Sequence, residues 1–427
     1  MKLLLLILHL LIIFSLVRLF INRIPDTTLH FHGWLSAGLK LVAGIGLGLV
    51  YRYYYSAGDT FVFHEEALKL IDYASQNTLS YFRYLAGLEE IPVYSEYVRQ
   101  PRVLYMAKWV SLIHLTTGGN YWITSLYFSF FSWLGLWMLG SRIILNYPKM
   151  REATLLSALY IPSMIFWSSG ITKESLALGA FGFVLHFLVP PVSRKPLAAI
   201  WWVLMIILLW KIKYFYVVPL VIVLALVYLW DAIDLYRRVP WWTKLLTIPV
   251  AILGLLLVLP ILNPNFEWNY FPEMIYGNHM AFVSKSEPGS YLELPGLCAS
   301  WLCLMWNFPL AVTAGIFRPF LWEVDSLFQA IIGIENTFYL ILFLEGVFRF
   351  KRVKRYTTYQ LHRFIGAWVF VILMSGFLAL AAPNFGTLER YTVIVSPVLA
   401  FLLTFDSELF GKTLKRLSLI RLPLQHG

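Results

Sequence analysis

The stretch SAGDTFVFHEEA, residues 56–67, follows directly on an apolar run ending LVYRYYY and sets an aspartate, a histidine and two glutamates against membrane-length sequence. Asp59 there has the chemistry of a general base, able to draw the proton from a hydroxyl within about 3 Å. The same GDT also reads as the opening of an amphipathic helix, TFVFHEEALKLIDYASQN, with Asp59 as its N-cap. In that helix Phe61, Ala67, Leu68, Ile71 and Ala74 form an apolar stripe suited to a lipid interface, leaving Glu65, Glu66, Lys69 and Asp72 on other faces. His64 is either a proton-transfer or metal-binding group or a plain hydrogen-bonding side chain.

Cations stand near similar boundaries. In YIPSMIFWSSGITKESLALGAF, residues 160–181, Lys173 and Glu174 open an apolar run after a small-residue turn. An ammonium there suits a phosphate and Glu174 is a second catalytic carboxylate; the competing reading is helix punctuation with Thr172 as N-cap. In LLWKIKYFYVVP, Lys211 and Lys213 fall between two apolar runs, where they either hold a phosphate or snorkel to lipid headgroups. GIFRPFLWEVDS carries Arg318 and Glu323, and APNFGTLERYTVIVSP carries Asn384, Glu389, Arg390 and Tyr391. An arginine's planar fork suits bidentate phosphate recognition. Glu335, inside an apolar run, is an intramembrane carboxylate and so a functional candidate, or one half of a hydrogen-bonded pair.

The elements that must position these groups are membrane helices. Of 427 residues 59% are hydrophobic and only 13% charged, against roughly 25% in a soluble domain. Runs of the ~20 apolar residues needed to cross a bilayer recur along the whole length. An all-α polytopic membrane protein follows, with about 11 spans near 2–21, 34–55, 121–141, 152–168, 174–191, 197–211, 214–230, 244–262, 326–349, 364–382 and 391–410. The first run is expected to be retained rather than cleaved, since no small-residue cleavage site follows it.

The net charge of +11 marks orientation rather than nucleic-acid binding. Basic residues gather at Arg142, Lys149 and Arg151, at Arg194 and Lys195, at Arg237, Arg238 and Lys244, at Lys351, Arg352, Lys354, Arg355 and Arg363, and at Lys412, Lys415, Arg416 and Arg421. By the positive-inside rule these loops and the C-terminus are cytoplasmic. Reading Arg23 and Lys40 as cytoplasmic too puts the N-terminus outside. Residues 56–120, the turn SSGITKES, the KIK at 211–213, the loop 263–325 and 384–390 then share the outer face, with most of the acidic residues among them. Residues 103–117 are expected as an external juxtamembrane helix, and 297–317 as a re-entrant or interfacial element. The whole forms one integral membrane domain, 1–427. Cys298 and Cys303 suggest neither a disulfide framework nor a metal site. No Walker loop, Rossmann fingerprint or zinc spacing appears, which excludes soluble nucleotide chemistry.

Asp59 in the first external loop, RQPRVLYMAKWVSLIHLTTGGN before a span, PSMIFWSSGITKES, and ERYTVIVSP at the last external turn together resemble the GT-C superfamily of integral-membrane glycosyltransferases, which includes the protein mannosyltransferases and aminoarabinose lipid A transferases. The resemblance implies a polyprenyl-phosphate sugar donor, a glycan, lipid or protein acceptor, and inversion at the anomeric carbon on the outer face of the cytoplasmic membrane. By the same resemblance Asp59 would be the base, and Lys173, Lys211, Lys213, Arg318 and Arg390 would hold the leaving lipid phosphate. It names no certain cofactor, and a divalent cation stays open. Relatives carry paired acids where Asp59 stands alone, and the soluble C-terminal domain of several of them is absent. Two other readings remain at this level: a polysaccharide polymerase or ligase using polyprenyl-linked sugars, and a non-enzymatic transporter or flippase of lipid-linked glycans. The long loop 263–297 has no arginine and only His279, which counts against the polymerase.

Overall fold

The computed structural model describes residues 2–55, 58–90, 100–190, 196–236, 240–324, 326–348 and 357–413. Ser56, Ala57 and Arg99 lie outside these residues, as do Arg194, Lys195, Arg237, Arg238, Lys351, Arg352, Lys354, Arg355, Lys415, Arg416 and Arg421 of the basic clusters. The described chain is helical throughout its regular structure, with one isolated bridge between Tyr291 and Asn384. Seven of its helices are long and apolar enough to cross a bilayer, or eight if one bent pair counts as a span. The chain is a polytopic membrane protein.

It divides into two compact units, Met1–Val217 and Val218–Gly427. The first contains α1 (Lys2–Asn22), α2 (His30–Tyr53), α3 (Asp59–Gln76), α4 (Thr78–Leu85), α5 (Pro101–Thr117), α6 (Tyr121–Asn146), α7 (Arg151–Leu155), α8 (Pro162–Trp167), α9 (Lys173–Leu188) and the start of α10 (Pro196–Tyr236). Its main core lies between α1, α2 and α6. Ile13, Val17 and Ile21 repeat at helical spacing to bury one face of α1 against Ala37, Trp133 and Trp137. The two indoles stack with centroids 5.8 Å apart, and Trp133 Nε1 donates to Ser36 Oγ at 3.0 Å, which satisfies the polar edge of a buried ring.

Three departures from the sequence reading have local causes. The run 152–168 is not one helix: it passes from α7 into a π-helical turn and restarts at Pro162, whose ring cannot continue the preceding ladder. The runs 197–211 and 214–230 meet in α10 at Lys213, which alone leaves the helical region (φ −146°, ψ 75°). Lys40, read as a cytoplasmic charge, is buried inside a helix. It sits in the middle of α2, 3% exposed, with its ammonium donating to the carbonyls of Met164 (3.1 Å) and Ser168 (3.0 Å) at the C-terminal end of α8. The Met164 carbonyl also accepts from the Ser168 amide at 3.2 Å, and the negative end of the helix dipole favours a cation beside it.

The second unit contains the rest of α10, then α11 (Trp241–Leu245), α12 (Thr247–Leu262), α13 (Tyr270–Val283), α14 (Trp301–Phe317), α15 (Leu327–Phe348), α16 (Thr358–Ala381), α17 (Phe385–Thr392) and α18 (Ser396–Thr404). The expected run 391–410 is broken, with α17 and α18 meeting at 72°. The 297–317 segment is the apolar helix α14, whose Leu302, Met305 and Trp306 are exposed. Cys298 and Cys303 are joined in a disulfide across its first turn, a pairing their sequence context did not suggest. Lys244 and Arg363, two of the basic residues read as cytoplasmic, share a charged cluster. His362, buried, lies 2.6 Å from Asp231 through Nδ1 and 2.7 Å from the Lys244 ammonium through Nε2, and Arg363 reaches Asp231 at 3.1 Å.

Replacing Lys40 by Met keeps the stem and removes the ammonium. The end of α8 then loses its donor, and the chain in detergent micelles is expected to melt at lower temperature, with a loss of about 1–3 kcal/mol. An unchanged melting curve would show that the cap contributes nothing.

Candidate functional site

Asp59 is the first residue of α3 and is exposed. It is not the N-cap: Gly58 (φ 155°) holds that position, and the Asp59 carboxylate stands in the first turn, where the helix dipole favours an anion. One turn on lies Phe63, on the same side of the helix. Phe63 is buried, and the ammonium of Lys173 lies 5.0 Å from its ring centroid. An exposed carboxylate and a cation are thereby brought to one end of the first unit. The buried face of α3 runs through Phe63, Ala67, Leu70 and Ala74 and meets α5, so it is rotated from the stripe read off the sequence, where Leu68 proves exposed. Glu66 is buried within this contact and bonded to Lys69 at 2.6 Å, while Glu65 points outward.

Lys173 is placed by the turn before it. Thr172 Oγ1 accepts from Ser175 N at 3.1 Å, the expected N-cap of α9. Gly170 has φ +68°, a conformation that favours glycine, and its N–H donates to Ser129 Oγ of α6 at 2.9 Å. Gly44 of α2 comes so close that a Cβ on it would fall 2.1 Å from Ser129 Oγ. The turn is therefore gripped by α2 and α6 and held from below by Lys40.

Glu174 and Lys213 are paired with each other. Their side chains are 2% and 3% exposed and 2.8 Å apart, and Lys213 also donates to the Tyr216 hydroxyl at 3.1 Å. Lys213 is the break in α10, so the ion pair ties that break to the start of α9. Lys211, two residues before, is exposed. Burial, reinforced by the Lys211 charge, lowers the ammonium of Lys108 on α5 below the usual lysine value. Lys108 lines a cleft of about 430 Å³ together with Tyr84, Glu89, Glu90 and Tyr105, and donates to the Tyr84 carbonyl. Neither Lys108 nor Arg102, which lies 5.5 Å over the Tyr214 ring, was singled out from the sequence. Their position on α5 is the signal, since the two basic residues occur in a largely apolar helix.

The remaining predicted residues belong to the second unit. Arg318 forks onto Glu323, with Nε donating to Oε2 at 3.0 Å, and lies 5.2 Å over the Phe385 ring. Burial alone would raise the Glu323 carboxyl, but the hydrogen bonds from Arg318 and from the Phe320 amide outweigh it and hold it below the ordinary value. Glu335 on α15 accepts from the Tyr339 hydroxyl at 2.9 Å. Asn384 caps α17 by accepting from Thr387 N at 3.1 Å, and the Arg390 guanidinium lies 5.5 Å over the Tyr391 ring. Glu389 beside it is 6% exposed, and its Oε1 meets no hydrogen-bond partner among the described residues.

A histidine missed by sequence reasoning completes the first unit's polar interior. His114 of α5, fully buried, has Nε2 2.8 Å from His64 Nδ1 and Nδ1 2.8 Å from Thr124 Oγ1. His114 and Thr117, three apart on one face of α5, were legible only as an apolar helix with two stray polar residues. Comparison with protein-family models, with curated proteins and with solved structures finds no match. The residues themselves therefore carry the functional reading.

Two outcomes test this geometry. Glu174→Gln leaves the Lys213 ammonium buried without its counter-ion and is expected to cost about 3–5 kcal/mol. The double variant Glu174→Leu/Lys213→Met, which removes both charges, should recover most of the melting temperature; failure to recover would deny the pairing. Burial, and then the neighbouring His64, push the His114 imidazole down to about 4, from an unfolded value of about 6.5. The folded state therefore resists protonation that the unfolded state accepts. The stability this confers is complete above the unfolded value and is lost as pH falls from there toward 4, which a melting series in detergent across that range would reveal. His114→Gln should flatten that slope.

Proposed function

We propose that the chain is a GT-C-like integral-membrane glycosyltransferase with about eleven spans, acting at the outer face of the cytoplasmic membrane. It moves a sugar from a polyprenyl-phosphate donor to a hydroxyl-bearing acceptor. The observation that supports the reading is that the exposed Asp59 opens α3 one turn before Phe63, and that the Lys173 ammonium lies 5.0 Å from the Phe63 ring.

That arrangement provides the two things displacement at an anomeric carbon requires. Asp59 takes the proton as the acceptor oxygen bonds to the anomeric carbon, and the bond from that carbon to the phosphate oxygen breaks with its electron pair leaving on the phosphate. Positive groups stabilise the charge that develops on the leaving phosphate. In the first unit we assign that role to Lys173 and the exposed Lys211. Glu174 and Lys213 neutralise each other and serve as the pin that holds this end of α9. One-step displacement inverts the sugar.

Purified protein supplied with a set of radiolabelled polyprenyl-phosphate sugars and membrane extract is expected to transfer label. Asp59→Asn, which keeps the shape and removes the base, should lower transfer on the order of 10²-fold or more while the chain still folds. Absence of transfer from every donor, or transfer indifferent to the substitution, would favour the polymerase and transporter readings.

A further inference from the structure

Besides Asp59, α3 presents a second group able to move a proton. His64 lies five residues on, about 7.5 Å further along the axis and turned by roughly 140° from Asp59. Its ring is half-buried, and its Nδ1 is held 2.8 Å from His114 Nε2. His114 Nδ1 is 2.8 Å from Thr124 Oγ1, which is in turn 2.8 Å from Thr117 Oγ1. Side chains from α3, α5 and α6 thus form one continuous hydrogen-bonded chain. Its outer end is His64 Nε2, which makes no hydrogen bond among the described residues.

The proton count along this chain is constrained. A threonine hydroxyl has a single proton and a neutral imidazole one N–H. The chain can run in two directions. When Thr124 donates to Thr117 it accepts from His114 Nδ1, His114 Nε2 accepts from His64 Nδ1 and His64 Nε2 is a bare base. When Thr117 donates to Thr124 every bond reverses and His64 Nε2 carries the N–H, so the base form is the first of the two. A proton added at Nε2 makes His64 an imidazolium that keeps its bond to His114. A second proton cannot be added, because two N–H groups would then face each other across 2.8 Å. The pair therefore binds one proton, and binds it at the exposed nitrogen. This is the relation of a base to the group that orients it. Beside the His64 ring stand His114 of α5 and Tyr121 of α6, the latter edge-on at 5.5 Å with its hydroxyl sharing a 2.7 Å bond with Thr60; Asp59 and Glu65 belong to the same helix as His64, and Lys173 of α9 lies over Phe63, the residue before it in the chain.

We propose that His64 is the proton-transfer residue of this end of the first unit: its Nε2 takes up, through water, the proton that Asp59 removes from the acceptor hydroxyl, and releases it to solvent. The inference rests on the glycosyltransferase reading. His114, Thr124 and Thr117 act as positioning residues that fix which nitrogen faces out. The step is a proton transfer only, so each turnover returns Asp59 and His64 to their starting forms.

Two measurements decide it. Ethoxycarbonylation by diethyl pyrocarbonate, followed at each histidine by mass spectrometry, reads the base form of the imidazole with no sugar donor present. His64 is expected to react readily at neutral pH, with a midpoint below the usual histidine value because burial disfavours its charged form. Thr124→Val keeps the shape but removes the acceptor for His114, and should slow the reaction at His64 by about tenfold, the effect of one unit of basicity. An unchanged rate at His64 in a folded variant would overturn the proposal and leave the chain as a clamp between helices. In the transfer assay, His64→Gln should lower turnover on the order of 10²-fold with the KM for donor unchanged, and added imidazole should restore it. A lowered melting temperature with transfer intact would equally overturn the proposal. If the wild-type protein transfers no sugar while His64 still shows the predicted reactivity, the failure lies in the glycosyltransferase reading and not in the orienting chain.

Discussion

A lysine ammonium kept from water must be met by oxygen, and in the first unit that requirement organises everything outward of it. Lys40 lies within an apolar helix and donates to the carbonyls at the end of α8. The helix thereby stops where the turn 168–172 begins, and the turn, gripped by Ser129 and Gly44, sets where α9 starts. Lys173 and Glu174 are the first two residues of α9. Glu174 then fixes Lys213, and with it the break in α10. A charge near the middle of one helix thus decides the position of a surface cation on another.

The same arrangement divides the ionisable residues by task. Those that are buried and matched, such as Glu174 with Lys213, are poor candidates for chemistry, because each has its charge already satisfied in a low-dielectric setting. Those at the rim, Asp59, Lys173 and Lys211, keep access to solvent. The His64 to Thr117 chain stands between the two classes, buried at one end and open at the other. It also fastens α3 to α5 and α6, so the helix that presents Asp59 has little freedom to tilt.

What was legible in the sequence was what local pattern controls. The apolar runs of α1, α2, α6, α15 and α16 read as spans because length and composition alone make them so. Thr172 read as a helix cap because capping is a relation between residues three apart. Residues 103–117 and 297–317 read as helices distinct from the regular spans, and they form α5 and α14. What failed to show was set by partners far along the chain. The partners of Lys40 did not show because its oxygens lie more than 120 residues away, and Lys213 was separated from Glu174 by 39. The Gly58 cap was hidden because the aspartate next to it is the commoner cap, and the Cys298–Cys303 bridge because two cysteines alone make no framework.

That bridge has a practical side. The chain's two cysteines are both consumed in it, so the oxidised protein holds no thiol. A cysteine introduced at any loop is consequently the single target for a maleimide. A reagent too polar to cross the membrane then labels it from one side or not at all, and the sidedness of every connection can be mapped without first stripping the protein of its native residues.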